Sequence, residues 1–418
     1  MGMRSNWSRR ADRLTLAAAC PAVTLALALM AAGCTGGPGS RAPARSASAA
    51  PASAAPGPAW VAVALPASGT GRPVVRDVAA CPGRWYAAGG YATGDGGTRP
   101  GLWTSVDARS WSAVPVAPVS VYGPTQLLTS VACDGTATVA IGSTSGGVHG
   151  NARVSTWAGP PGGTLTEQAA PFELFGGPDA IGVAGLAGTL PGAPGFLIVG
   201  AWRDANGQAG AAVWVSGADG RGFRLVDADS ELESGAGGPT EARDAVAGPG
   251  GFTLVGSVGT PGSRVSARDP AVWTSTDGLA WRLAPVPATA ENEEPQRLLA
   301  GRGGELAVGV RGDGFGAWRG SATGDGWRAV GRFGSFAGTG LPMVTGLATG
   351  PAGDSYAVVG DGDRYRLWSS TDGTSWTQRQ LPTAVPVGDQ RTVVVAGAGG
   401  RLLISAEDGV SSRLWTAD

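Results

Sequence analysis

The chain has no lysine, a single histidine (His149) and only four cysteines among its 418 residues. With one imidazole available, a metal centre built from several histidines is excluded, and Ser-His-Asp or Cys-His catalysis has only His149 to draw on. All 31 basic residues are arginine, set against 32 acids for a formal net charge of −1. No cationic surplus exists to attract nucleic acid, and none is expected as a partner. Long apolar runs are also missing, apart from one near the start, and no stretch repeats at a helical period. What is abundant is glycine, 72 residues, together with 15 tryptophans.

The one apolar run covers residues 14–32 and follows Arg4, Arg9, Arg10 and Arg13. It ends Met30-Ala31-Ala32-Gly33-Cys34, which resembles a bacterial lipoprotein signal with Cys34 as the acylated residue; Ala31 stands where such signals usually carry Leu. An uncleaved anchor and a plain secretory signal are the alternatives. The resemblance implies residues 1–33 as signal peptide and an extracytoplasmic protein on the outer face of the cell membrane, held by its N-terminal lipid. Residues 34–58, rich in Pro, Ala and Ser, cannot bury a core and read as a tether, leaving 59–418 as the folded domain. Cys81 and Cys133 stand at matching places in consecutive repeats, as Val-Ala-Ala-Cys and Val-Ala-Cys. In an oxidising compartment they are disulfide candidates if their Cα atoms lie within about 7 Å; two buried thiols are the alternative.

The repeat itself is a strand ending in glycine: Trp-Tyr-Ala-Ala-Gly89, Thr-Val-Ala-Ile-Gly142, Phe-Leu-Ile-Val-Gly200, Phe-Thr-Leu-Val-Gly256, Glu-Leu-Ala-Val-Gly309 and Tyr-Ala-Val-Val-Gly360, with Ser405 closing a degraded seventh copy. A short apolar segment precedes each, and a tryptophan strand follows each, from Trp103 to Trp415. Four short turn-punctuated strands per unit, seven times over, predict an all-β, seven-bladed β-propeller of four-stranded antiparallel blades. The last unit stops at Asp418 without a fourth strand. Residues 59–66 supply one: Trp60 precedes Pro66 by six residues, as Trp281 precedes Pro287 and Trp376 precedes Pro382. The N-terminal strand is therefore expected to complete the last blade and close the ring.

The turns after the tryptophan strands, Ser105/Asp107/Trp111, Ser275/Asp277/Gly278/Trp281 and Ser370/Asp372/Gly373/Trp376, resemble the Asp-box, or bacterial neuraminidase repeat, of sialidase-like propellers. Glycine directly follows Asp here, one residue earlier than in that family. The resemblance implies a propeller in which Asp107, Asp277 and Asp372 are structural and lie away from the functional face. It also implies an arginine clamp and a Tyr/Glu pair if sialidase chemistry is kept. Tyr122, in Val-Ser-Val-Tyr-Gly-Pro, is the tyrosine expected on the loop face, and no glutamate neighbours it in sequence. Arg76, Arg243, Arg297 and Arg391 each fall 12 to 14 residues before their unit's Gly or Ser, making them candidates to converge on an anion at the central channel, unless nearby acids neutralise them. The acidic runs 227–233 and 291–295 are further loop features, able to attract a basic partner or a cation, or simply solvated. No catalytic residue, metal or cofactor is assigned. The expected function is a non-catalytic binding or scaffold module for an envelope protein or glycan, with a divergent sialidase-like glycoside hydrolase as the alternative.

Overall fold

A carbonyl oxygen explains the repeated glycine. The computed structural model describes residues 54–418 apart from 67–70, 148–149, 188–194, 204–206, 227–230, 233–237, 249, 260–267, 302 and 322. In it the glycine-ended segments are the second strands of seven antiparallel sheets. Blade one runs Arg72–Cys81, Arg84–Ala92, Thr98–Ser105 and Ser112–Val114, inner to outer. In blades one to five the glycine pairs with the inner-strand residue just before a β-bulge: Gly89 with Val75, Gly142 with Leu128, Gly200 with Val183, Gly256 with Ala242 and Gly309 with Pro295. The bulge pushes the preceding carbonyl towards the second strand. A Cβ on Gly89 would lie 1.8 Å from the Val74 oxygen, on Gly256 1.8 Å from Glu241 O, and on Gly309 1.9 Å from Glu294 O. In blade two the Gln126 side-chain oxygen occupies that space, 2.2 Å from a Cβ on Gly142. Blade six carries its bulge one pair further along, at Val344/Gly346. Blade seven pairs Ser405 with Val394 and has no bulge, so it tolerates a side chain.

The core lies between blades. Its seven apolar clusters each join neighbouring sheets, for example Val75, Trp103 and Trp111 of blade one with Leu403 and Leu414 of blade seven. Trp103, Trp157, Trp214, Trp273 and Trp318, all on third strands, are fully buried in these seams. Each indole withdraws about 200 Å² from water, worth about 5 kcal/mol before entropy is charged against it. The Ser/Asp turns fix where the third strand folds back. Asp107 accepts from Arg109 N at 2.8 Å and Ser110 N at 2.7 Å, and Trp111 Nε1 donates to Ala108 O at 3.1 Å. Asp277 and Asp372 repeat the pattern with Leu279, Ala280, Thr374 and Ser375. These amide bonds hold all three carboxyls below their ordinary value. The residue after each Asp is left-handed, φ 75° at Gly278 and 70° at Gly373, with Ala108 taking 55° in blade one.

Closure runs as the sequence predicts, with a shorter strand. Val61–Val63 pairs antiparallel with the last strand, Val61 opposite Thr416 and Val63 opposite Leu414, and completes blade seven. Polar contacts clasp the same seam: Arg72 meets both oxygens of Glu407 at 3.0 and 3.1 Å, Ser412 Oγ accepts from Val75 N at 2.8 Å, and Arg401 and Arg109 both bind the Asp418 side chain. Within the segment read as tether, Ala55 bridges Arg379 on the outer edge of blade six, with Gln380 N donating to Ala55 O at 3.0 Å. The approaching chain thus runs along one blade before joining the next, guided by Trp60, which packs in the cluster between them. Blade two gains an unforeseen fifth strand, Val116–Ala117, parallel to Leu165–Glu167. Cys81 and Cys133, ending neighbouring inner strands, are bonded, with Cα atoms 5.9 Å apart. Cys34, the rest of residues 1–53 and His149 lie outside the described residues.

Two outcomes check this account. Gly256→Ala should cost about 2 kcal/mol or more in urea unfolding, whereas Gly182→Ala, with nothing within 4 Å of its Cβ, should be close to neutral. Equal midpoints would remove the steric explanation. Deleting residues 54–66 uncovers the ladder edge of Ser412–Ala417 and should lower and broaden the thermal transition.

Candidate functional site

Bulges place side chains on the ring axis. A space of about 300 Å³ there is lined by residues from all seven inner strands, among them Arg76, Thr129, Ala184, Arg243 and Thr345, each the extra residue of its bulge. Arg297 also lines it, one position beyond the bulge of blade five, in the place that Asp77 and Asp244 hold in blades one and four. Those two aspartates tie blades together. Asp77 accepts from Val131 N and Asp244 from Leu298 N, both at 2.9 Å, in the following blade. Burial pushes the Asp77 carboxyl up to about 6, against the opposing pull of the Val131 and Val78 amides and the Arg297 charge. It raises Asp244 as well, again opposed by Arg297.

The four candidate arginines do not act as one set. Arg391 lies before its strand, donating to Asp408 O at 3.2 Å, and does not line the axial cavity. Blade seven lacks the bulge and is one strand pair shorter, so the same count back from Ser405 overshoots; Val395 holds the equivalent place. Arg243 is neutralised by Glu241 and Glu294, each at 2.6 Å, and Arg268 binds the same two acids. Burial pushes the Glu294 carboxyl up, but the charges of Arg243 and Arg268 outweigh it and hold it below normal. Arg76 donates to Gln390 O at 2.9 Å and to its side-chain oxygen. Its burial lowers its pKa, opposed by Glu407 and reinforced by Arg72. Arg297 donates to Gln296 O at 2.7 Å, and among the described residues neither Arg76 nor Arg297 is ion-paired. The acidic run of blade five is consumed internally: Arg311 pairs with Glu293 at 2.8 Å, and Arg332 with Glu291 at 2.6 Å. Of the run 227–233, Glu231 and Leu232 are described; Glu231 O accepts from Trp273 Nε1 at 2.6 Å and Leu232 is in the core. Among the described residues no cluster of three His, Cys, Asp or Glu suits a metal ion.

Because the strands alternate in direction, the Ser/Asp turns and the inner hairpins share one end of the ring. The other end carries the connections between blades. There, beside blade two, opens a larger cavity of about 630 Å³, lined more by apolar than polar atoms. Tyr122 is in its wall, from the connection leaving blade one; Phe172 comes from the connection leaving blade two. Between them lies Arg153, its guanidinium carbon 4.4 Å from the Phe172 ring centre and 5.4 Å from that of Tyr122. Glu167 is in the same wall, yet fully committed: it accepts from Val119 N at 2.7 Å, Ser120 N at 2.8 Å, Ser120 Oγ at 2.6 Å and Ser155 Oγ at 2.9 Å. Burial pushes its carboxyl up, and these bonds more than offset that, keeping it ionised below its ordinary value.

No protein family profile matches the chain, and no curated protein does. Solved structures that resemble it include the β-propeller domain of the Trilobed protease from Pyrococcus furiosus, 8% identical over 82% of this chain and 95% of that one, TM-score 0.47. A putative 6-phosphogluconolactonase from Bacteroides fragilis is 14% identical over 79% and 89%, TM-score 0.47. The polysaccharide lyase Uly1 is 9% identical over 83% and 90%, TM-score 0.46. These likenesses concern fold alone.

Its place in a connection between two repeats brought out Tyr122, and spacing brought out the axial arginines; Arg153, Glu167 and Phe172 carry no periodic signal. Elsewhere Glu305 is buried beside Thr253, and burial pushes its carboxyl up to about 7 against the Thr253 hydroxyl. A raised acid stabilises the fold below its unfolded value and loses that contribution as pH rises through the folded one. Between pH 5 and 8 the carboxyls held low are already ionised, so Asp77 and Glu305 make stability fall as pH rises. Glu305→Gln should flatten part of that fall in urea midpoints and leave the variant at least as stable as the parent at pH 8. A parallel shift at every pH would show that Glu305 does not titrate in this window.

Proposed function

We propose that this protein is an extracytoplasmic β-propeller, anchored to the membrane by lipid on Cys34, that acts by binding an envelope protein or glycan at the end of the ring carrying the inter-blade connections. The observation that carries the reading is the cavity beside blade two, with an aromatic-flanked arginine in its wall. Concave, mostly apolar walls with a few fixed polar groups are what ligand sites share. The arginine-rich N-terminal segment, the apolar run 14–32 and the Pro/Ala/Ser-rich stretch support the anchor, and the turns at Asp107, Asp277 and Asp372 support kinship with Asp-box propellers in which such turns are structural.

A second reading, a sialidase-like hydrolase, draws on Arg76 and Arg297 in the axial cavity. It is weakened by distribution: Tyr122, its candidate nucleophile, lines a different cavity, and Glu167 beside it is saturated with hydrogen bonds.

A photo-crosslinking residue at Val121, 85% exposed at the connection end, tests the first reading against one at Val106, 69% exposed beside a Ser/Asp turn. In intact cells, a discrete adduct from position 121 and none from 106 is expected. Adducts from both positions alike, or from neither, would count against it. Turnover of a sialoside that disappears in a folded Arg297→Ala variant would establish the second reading instead.

A further inference from the structure

We propose that the blade-two cavity is a docking site for a peptide segment that carries a carboxylate next to an apolar side chain. The assignment rests on the binding reading above and names the chemistry of its ligand. Arg153 is the starting point. Two aromatic rings cover its guanidinium, and its Nε is buried without a hydrogen-bond acceptor among the described residues. No carboxylate among those residues pairs with it, whereas Arg243, Arg311, Arg332 and Arg366 each hold one. Held against two rings with its Nε buried, the guanidinium keeps its two terminal amino groups, which carry no hydrogen bond among the described residues, for a two-pronged contact with a carboxylate. Glu167 cannot supply that partner, since both its oxygens are engaged by the Val119–Ser120 backbone and by Ser120 and Ser155 hydroxyls. The cavity therefore holds a half-buried cation with no counter-charge among the described residues.

The rim decides what carries the charge. Val119 and Phe172, in the cavity wall, are 60% and 46% exposed, and Val121, next to Tyr122 in the chain, is 85% exposed, so apolar side chains stand at the opening. An acidic sugar would turn hydroxyls toward these surfaces and lose their hydration without gaining partners. An apolar side chain adjoining the carboxylate would cover them instead. Buried Arg and aromatic anchors ringed by apolar contacts are also the usual energetic centre of protein interfaces. A peptide extending past the cavity satisfies both the interior charge and the rim.

The test is calorimetric titration of the protein with acetyl-Leu-Asp-Leu-amide, its Asn counterpart and glucuronate. The Asp peptide should bind at one site and exceed the Asn peptide by about tenfold, the size of one charge-assisted contact. Arg153→Gln should bring that ratio close to one, and Phe172→Ala, at an exposed position, should weaken both peptides several-fold with the melting curve unchanged. Equal affinities in the parent, a ratio preserved in Arg153→Gln, no peptide binding, or glucuronate binding more tightly than the Asp peptide would each overturn the proposal. If position 121 crosslinks a partner while the peptides fail, binding stands and the carboxylate assignment falls.

Discussion

One steric contact organises this ring: in blades one, three, four and five the carbonyl ahead of the inner-strand bulge occupies the space where a side chain on the second strand would begin. Glycine is required opposite it, as Gly89, Gly200, Gly256 and Gly309 show, and its recurrence sets the visible period of the sequence. The same bulge turns Arg76, Thr129, Arg243 and Thr345 onto the axis and places Asp77 and Asp244 to capture an amide of the next blade. Sheet twist, axial lining and blade-to-blade ties thus share one cause. Blade seven is the exception that supports it, having Ser405, no bulge and aliphatic Val394 and Val395 at the axis.

Closure is the complementary requirement. A ring of sheets held together mainly by apolar seams can open at whichever seam is weakest, and the seam between first and last blades has no chain connection by default. Here three residues, Val61–Val63, supply a ladder, while Arg72–Glu407, Ser412–Val75 and the Asp418 clasp hold both ends of the same seam. The short ladder suffices because it is not alone: Ala55 and Trp60 fasten the incoming chain to blade six before it reaches blade seven.

How much of this was legible in the sequence follows from which interactions repeat. The glycines, the third-strand tryptophans and the Ser/Asp turns recur because each blade solves the same packing problem, so the fold and the orphan strand near Trp60 could be read directly. The axial arginines were only partly legible. Counting back from a glycine works for Arg76 and Arg243, lands one position off for Arg297, and fails for Arg391, whose blade has a shorter hairpin. The partners that neutralise Arg243 were not legible at all, since Glu294 lies 51 positions along the chain and belongs to the next blade. Arg153 and Phe172 meet through a connection that occurs once, and a contact without a repeat leaves no pattern.

That asymmetry bears on where function resides. Groups that recur are used up by the architecture: the turn aspartates hold amides, Asp77 and Asp244 join blades, and the acidic run of blade five is bound by Arg243, Arg268, Arg311 and Arg332. An anion entering the axial cavity would meet Arg76 and Arg297, but also two carboxyls facing the same confined space. Beside blade two the balance is reversed. The single carboxylate lining it is satisfied by the connection leaving blade one and by Ser155, the cation is half-buried against two rings, and apolar side chains stand open to solvent. An aromatic-flanked cation with no carboxylate partner among the described residues, beside exposed apolar side chains, favours the rim of blade two, rather than the axis, as the place where a partner is recognised.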